Sequence, residues 1–83
     1  MAEPVRQETF EKIVAITAKK LNVDSARVRG DVTLQDLGAD SLDLVEIIMK
    51  IEEQFGIEVD DEAAEKLETL NQVVDYVQSL RTK

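Results

Sequence analysis

Ser41 is the residue of this chain whose surroundings best suit covalent chemistry. It stands in Leu37-Gly38-Ala39-Asp40-Ser41-Leu42, where a loop ends and an apolar run begins. A hydrolase serine wants a Gly-x-Ser-x-Gly elbow and a histidine base. The stretch instead reads Ala39-Asp40-Ser41-Leu42-Asp43, and the chain has neither histidine nor cysteine. Those absences remove Ser-His-Asp arrangements, thiol nucleophiles, Cys-ligated zinc and disulfides. Ser41 is therefore not a self-activated nucleophile. Its bland reading is a plain N-cap, a role that Asp40 can fill equally well. A helix N-terminus also favours an anion, because its unpaired N–H groups and its dipole point at one. A serine placed there can carry a phosphodiester installed by another enzyme, which gives the protein a reactive group that it does not encode.

The carboxylates offer less. General acid catalysis needs a carboxyl whose pKa is raised by burial. An 83-residue chain has little interior for that, so no catalytic residue is expected. The EF-hand pattern needs a glycine at position six and a glutamate at position twelve. Counting from Asp36 gives Ser41 and Ile47, and counting from Asp60 gives Glu65 and Asn71. Both registers fail, and no dedicated metal site is expected.

Charge narrows the partners. The 18 acidic and 10 basic residues give a formal charge of −8, and they are unevenly placed. Residues 1–30 carry six basic and four acidic side chains, whereas residues 31–75 carry fourteen acids against Lys50 and Lys66. With only Phe10, Phe55 and Tyr76 as aromatics and no tryptophan, the chain has no stacking platform for bases, and phosphate backbones repel it. Nucleic acid is not an expected partner. No apolar run approaches the roughly 18 residues of a membrane span, and the N-terminus does not read as a signal peptide, so a soluble intracellular protein without stable membrane insertion is expected. An acidic half of this kind either attracts basic protein surfaces or is a solvated face.

The elements that must position Ser41 follow from periodicity. Phe10, Ile13, Val14, Thr17 and Leu21 recur at helical spacing after Pro4, which predicts a first helix over 4–20. Residues 21–40 hold turn formers and caps punctuated by Leu21, Val23, Val28, Val32, Leu34 and Leu37. They predict a long ordered loop pinned over the core, with a short helical turn near 33–37. A second helix follows over 41–55. Leu44, Ile48, Ile51 and Phe55 form its expected buried stripe, and Asp43, Glu46, Lys50 and Glu53 its polar face. Leu42, Val45, Ile47 and Met49 are left over, so this helix is apolar over too wide an arc to serve the core alone. Gly56 closes it as a C′ residue. Asp60 and Asp61 can cap a short helix over 61–67 containing Ala63, Ala64 and Leu67. Thr69 and Gln72 have capping-box spacing before a last helix over 70–81. The expectation is one domain over 1–83: an all-α, small four-helix bundle with three longer helices, one short, and a long loop between the first two.

Gly38-Ala39-Asp40-Ser41-Leu42-Asp43, then Val45-Glu46, then Glu52-Glu53-Gln54-Phe55-Gly56-Ile57-Glu58-Val59 resembles the acyl carrier proteins, the free-standing type II kind of bacterial and organellar fatty-acid synthesis. The resemblance covers nearly the whole chain, from Phe10-Ile13 to Val73-Asp75-Tyr76-Val77. It implies a non-catalytic carrier that a phosphopantetheinyl transferase modifies at Ser41 with 4′-phosphopantetheine from coenzyme A. The arm's thiol would hold growing acyl chains as thioesters, and Asp40 would help position metal and coenzyme A during the transfer. The acyl chain would shelter among aliphatics such as Ile48, Ile51, Leu67 and Val73. Asp40, Asp43, Glu46, Glu52 and Glu53 match the acidic surface shown to basic patches on synthases, reductases, dehydratases and acyltransferases. Leu42, Val45 and Met49 would supply a small apolar centre for each brief contact. A monomer in the cytoplasm, or in an organellar matrix, is implied. Two other readings stay open: a carrier dedicated to a polyketide or other specialised acyl or aminoacyl pathway, and an unmodified acidic adaptor for basic partners.

Overall fold

Thr9, Ile13 and Thr17 repeat at i, i+4 and i+8, and that stripe is the buried face of α1, Arg6–Leu21. The computed structural model describes residues 5–81, so the expected start at Pro4 lies outside the described residues. Val5 is the N-cap, without a side-chain bond. At the other end Asn22 turns left-handed at φ 54° and returns its N–H to the Ala18 carbonyl. Lys19 and Lys20 occupy the last turn, where a cation complements the helix dipole.

The connection to the next helix is ordered by its own aliphatics. Val28, Leu34, Leu37 and Ala39 are buried in the common core, and Val23 and Val32 pack against it. The loop contains two 3-10 turns, Ser25–Arg27 and Gln35–Leu37. The second lies where a helical turn was expected. The first was not foreseen; Asp24 starts it by accepting a bond from the Ala26 N–H at 3.1 Å. Backbone bonds then tie the loop to the first turn of the last helix and the chain just before it. The Leu34 N–H donates to the Glu68 carbonyl at 3.2 Å, and the Leu70 and Asn71 N–H groups donate to the Val32 and Gly30 carbonyls at 3.0 and 2.9 Å. An isolated antiparallel bridge, Thr33 with Thr69, sits among these bonds.

Three further helices complete the fold: α2, Ser41–Phe55; α3, Asp61–Lys66; and α4, Leu70–Arg81. This is a small all-α bundle in which α1 packs against both α2 and α4. Gly56 ends α2 in the left-handed region at φ 65°, a conformation that costs other residues about 1–2 kcal/mol. Neither Asp60 nor Asp61 caps α3 through a side chain, and that helix stops one residue before Leu67. Thr69 and Gln72 do form a reciprocal cap on α4, with Thr69 N–H to Gln72 Oε1 at 3.0 Å and Gln72 N–H to Thr69 Oγ1 at 3.2 Å.

The expected stripe on α2 needs one correction. Ile47 and Ile51 are its fully buried pair, whereas Leu44, Ile48 and Phe55 are only partly covered. Ile47 thus belongs to the core and not to the surplus. The i, i+4 pair lies in the common core, and the neighbouring Leu44 and Ile48 line a cleft that Ala64 of α3 also borders.

Candidate functional site

The loop delivers Asp40 and Ser41 to a fixed place. Leu37 and Ala39 are held in the core on either side of Gly38, which turns left-handed at φ 94°. The next residue, Asp40, is the N-cap of α2. Its Oδ1 accepts the Asp43 N–H at 2.9 Å, and its own N–H donates to Asp43 Oδ2 at 3.2 Å. This reciprocal box settles which of the two candidates caps the helix. Ser41 is therefore released from capping and stands exposed in the first turn of α2.

Ser41 also borders a cleft of about 710 Å³. Its walls are buried or half-buried aliphatics, among them Leu34, Leu44, Ile48, Leu67 and Val73, with Ala64 of α3. The exposed Val45, Met49, Glu58, Asp61 and Glu65 surround its mouth. Of the four aliphatics expected to shelter an acyl chain, Ile48, Leu67 and Val73 line this cleft. Ile51 does not; it is sealed inside the core at 0% exposure. Ala64 of α3 joins the wall without having been among the aliphatics expected there; its small side chain next to Leu67 was the signal.

The outward face of α2 is apolar at its centre. Leu42, Val45 and Met49 are 65%, 55% and 52% exposed, too open to count as core. Asp40 and Glu53 are exposed beside them, and Asp43 and Glu46 are partly covered. Besides the Asp40–Asp43 box, two more of the expected acidic residues are engaged within the chain. Glu52 turns towards the loop after α2, where its Oε2 accepts the Val59 N–H at 2.9 Å. Glu46 meets the ammonium of Lys20 from α1. The same contact, with lesser help from Asp43 and Asp40, holds the Lys20 pKa above its ordinary value against the opposing effect of burial. Lys20 was not foreseen as part of this face, because it is 26 residues from Glu46 and meets it only through the packing of α1 on α2.

An exposed primary alcohol at a helix N-terminus, beside an apolar cleft and without a base, can receive a group but cannot activate itself. Residues 11–77 match the family model described as the phosphopantetheine attachment site. The chain is a member of the acyl carrier protein family. It is 52% identical over 73 residues to the acyl carrier protein of Rubrobacter xylanophilus, covering 87% of this chain and 90% of that one. It is 50% identical over 72 residues to that of Guillardia theta, covering 86% and 89%. In three dimensions it is similar to the solved acyl carrier protein of Enterococcus faecalis, with a TM-score of 0.78 at 33% identity, over 93% of this chain and 99% of that one. This acyl carrier protein has a 4′-phosphopantetheine prosthetic group and serves as an acyl carrier in fatty-acid synthesis. Among its described residues, no helix is long and apolar enough to cross a membrane.

Proposed function

We propose that Ser41 is the attachment residue, that a phosphopantetheinyl transferase loads it, and that the α2 face presents the loaded carrier to fatty-acid synthesis enzymes. The observation that carries this is the division of labour between neighbours: Asp40 caps α2, leaving the Ser41 hydroxyl exposed at the mouth of the cleft. Two other serines are present, Ser25 and Ser79. Ser79 donates its hydroxyl to the Tyr76 carbonyl at 2.7 Å, and neither lines the cleft.

The group fits these residues. Its phosphate would lie at the N-terminal end of α2, where the helix dipole favours an anion. When bound, the arm supplies a thiol that holds an acyl group as a thioester. This chain's own part is to hold Ser41 clear of the core, to keep water from an acyl chain with Leu44, Ile48, Leu67 and Val73, and to offer a docking face. Asp40 holds the helix start in register and stands beside the hydroxyl for the transferase. Asp43, Glu46 and Glu53, with Glu52 set back, attract basic patches on synthases, reductases, dehydratases and acyltransferases, and Leu42, Val45 and Met49 seal each contact. Charge steering with a small apolar centre gives fast association without long residence. A monomer acting in the cytoplasm or an organellar matrix follows from the same reading.

An intact mass spectrum after incubation with coenzyme A, magnesium and a broad-specificity transferase tests it. One phosphopantetheine on the wild type and none on Ser41→Ala is the expected result. No addition to either would favour an acidic adaptor.

A further inference from the structure

Glu46 is central to the exposed face of α2. It lies one turn from Leu42 and Met49 and next to Val45, so a partner that covers this apolar patch meets its carboxylate. That carboxylate already holds the Lys20 ammonium, which reaches across from the last turn of α1. The two side chains keep 31% and 40% of their surface, so the pair is open to competition from outside. We propose that Lys20 is an intramolecular competitor for Glu46, and that it weakens the docking of basic partners on the α2 face. The inference rests on the docking role proposed for that face and adds the residue that tunes it.

Docking of a basic partner here is an exchange of ion pairs. A partner's arginine or lysine gains Glu46 only by displacing Lys20, or by approaching with a like charge beside it. Either way the attraction of the carboxylate is partly spent within the chain. Lys20 also adds positive charge next to Asp43 and Asp40, which lowers the field that steers a basic surface to the start of α2. The remaining acidic residues on this face, Asp40, Asp43 and Glu53, have no such lysine among the described ion pairs.

The test uses the full-length apo protein and a broad-specificity phosphopantetheinyl transferase as the basic partner, with binding read by biolayer interferometry beside the KM of the transfer. Lys20→Gln should tighten Kd and lower KM by about two- to five-fold, the range open to an exposed pair. The kcat should not move, and the gain should shrink at high salt as screening takes over. Lys20→Arg keeps the charge and should behave as wild type. Glu46→Gln should weaken binding more in the Lys20→Gln background than in wild type, because only there is the carboxylate free for the partner. Circular dichroism and Tm separate these effects from a change in folding. Unchanged or weaker binding by a folded Lys20→Gln protein would overturn the inference, and so would strictly additive effects of the two substitutions. If the wild type accepted no phosphopantetheine, the Ser41 reading would fall, while the binding data would still decide the role of Lys20.

Discussion

Two buried threonines show what single residues contribute. Thr9 is satisfied: its hydroxyl donates to Gln78 Oε1 at 2.5 Å and accepts from an Arg81 nitrogen at 2.8 Å. Thr17, equally buried, has a hydroxyl with no partner among the described residues. An unpaired buried hydroxyl opposes folding, and a valine of the same shape removes it. Thr17→Val should leave stability unchanged or raise it by up to about 1 kcal/mol in urea denaturation, whereas Thr9→Val should lower it. A clear loss for Thr17→Val would mean that its hydroxyl is engaged. Arg81 also donates to Glu8 and lies 4.7 Å over the Phe55 ring, joining the ends of α1, α2 and α4. Its bond to Glu8, helped by the charge of Lys12, holds that carboxyl below its ordinary pKa. A depressed folded pKa stabilises the fold above the unfolded value, about 4.3 for glutamate, and the contribution fades as pH falls through the folded value. The stability difference between wild type and Glu8→Gln should thus be present at neutral pH and vanish in acid. A difference that grew in acid would contradict the assignment.

At the scale of the element, α2 has three duties on three sides. Ile47 and Ile51 serve the core, Leu44 and Ile48 the cleft, and Leu42, Val45 and Met49 the solvent face. Replacing Met49 with lysine should therefore leave the helical circular dichroism and Tm near wild type while slowing transfer by the transferase. Collapse of the fold would instead make Met49 core. Asp40→Ala should cost about 1 kcal/mol through loss of the cap, and Asp40→Ser should recover most of it. Much of this was legible in the sequence. Helical periodicity marks α1 and α4 because each buries one stripe, and the excess of apolar residues marked α2 as more than a core helix. The division of that excess was not legible, since Ile47 differs from Leu42 or Met49 only in the neighbours that packing gives it. Glu52 bonding Val59 and Lys20 meeting Glu46 depend on how the chain folds back on itself, which local pattern does not encode. Of the site, Ser41 and its motif could be read directly. Ala64 as part of the cleft wall could not, because α3 has too few residues to show a stripe.

For the whole molecule, charge opposes compactness. A formal −8 on 83 residues, with fourteen acids between 31 and 75 and few internal pairs, means that folding concentrates like charge. The core has to contain that repulsion while leaving a cleft of about 710 Å³ beside it, so the stability margin is slim. Raising NaCl from about 0.02 to about 0.5 M shortens the Debye length several-fold and should raise Tm by several degrees. A Tm that fell or stayed level would show that repulsion does not limit stability.

Ser41, and no other serine, is expected to receive the prosthetic group. The most direct test is peptide-level mass spectrometry of the full-length protein after reaction with coenzyme A and the transferase. Phosphopantetheine is expected on the peptide containing Ser41, with those containing Ser25 and Ser79 unmodified. Modification at either of those serines, with Ser41 bare, would contradict the account.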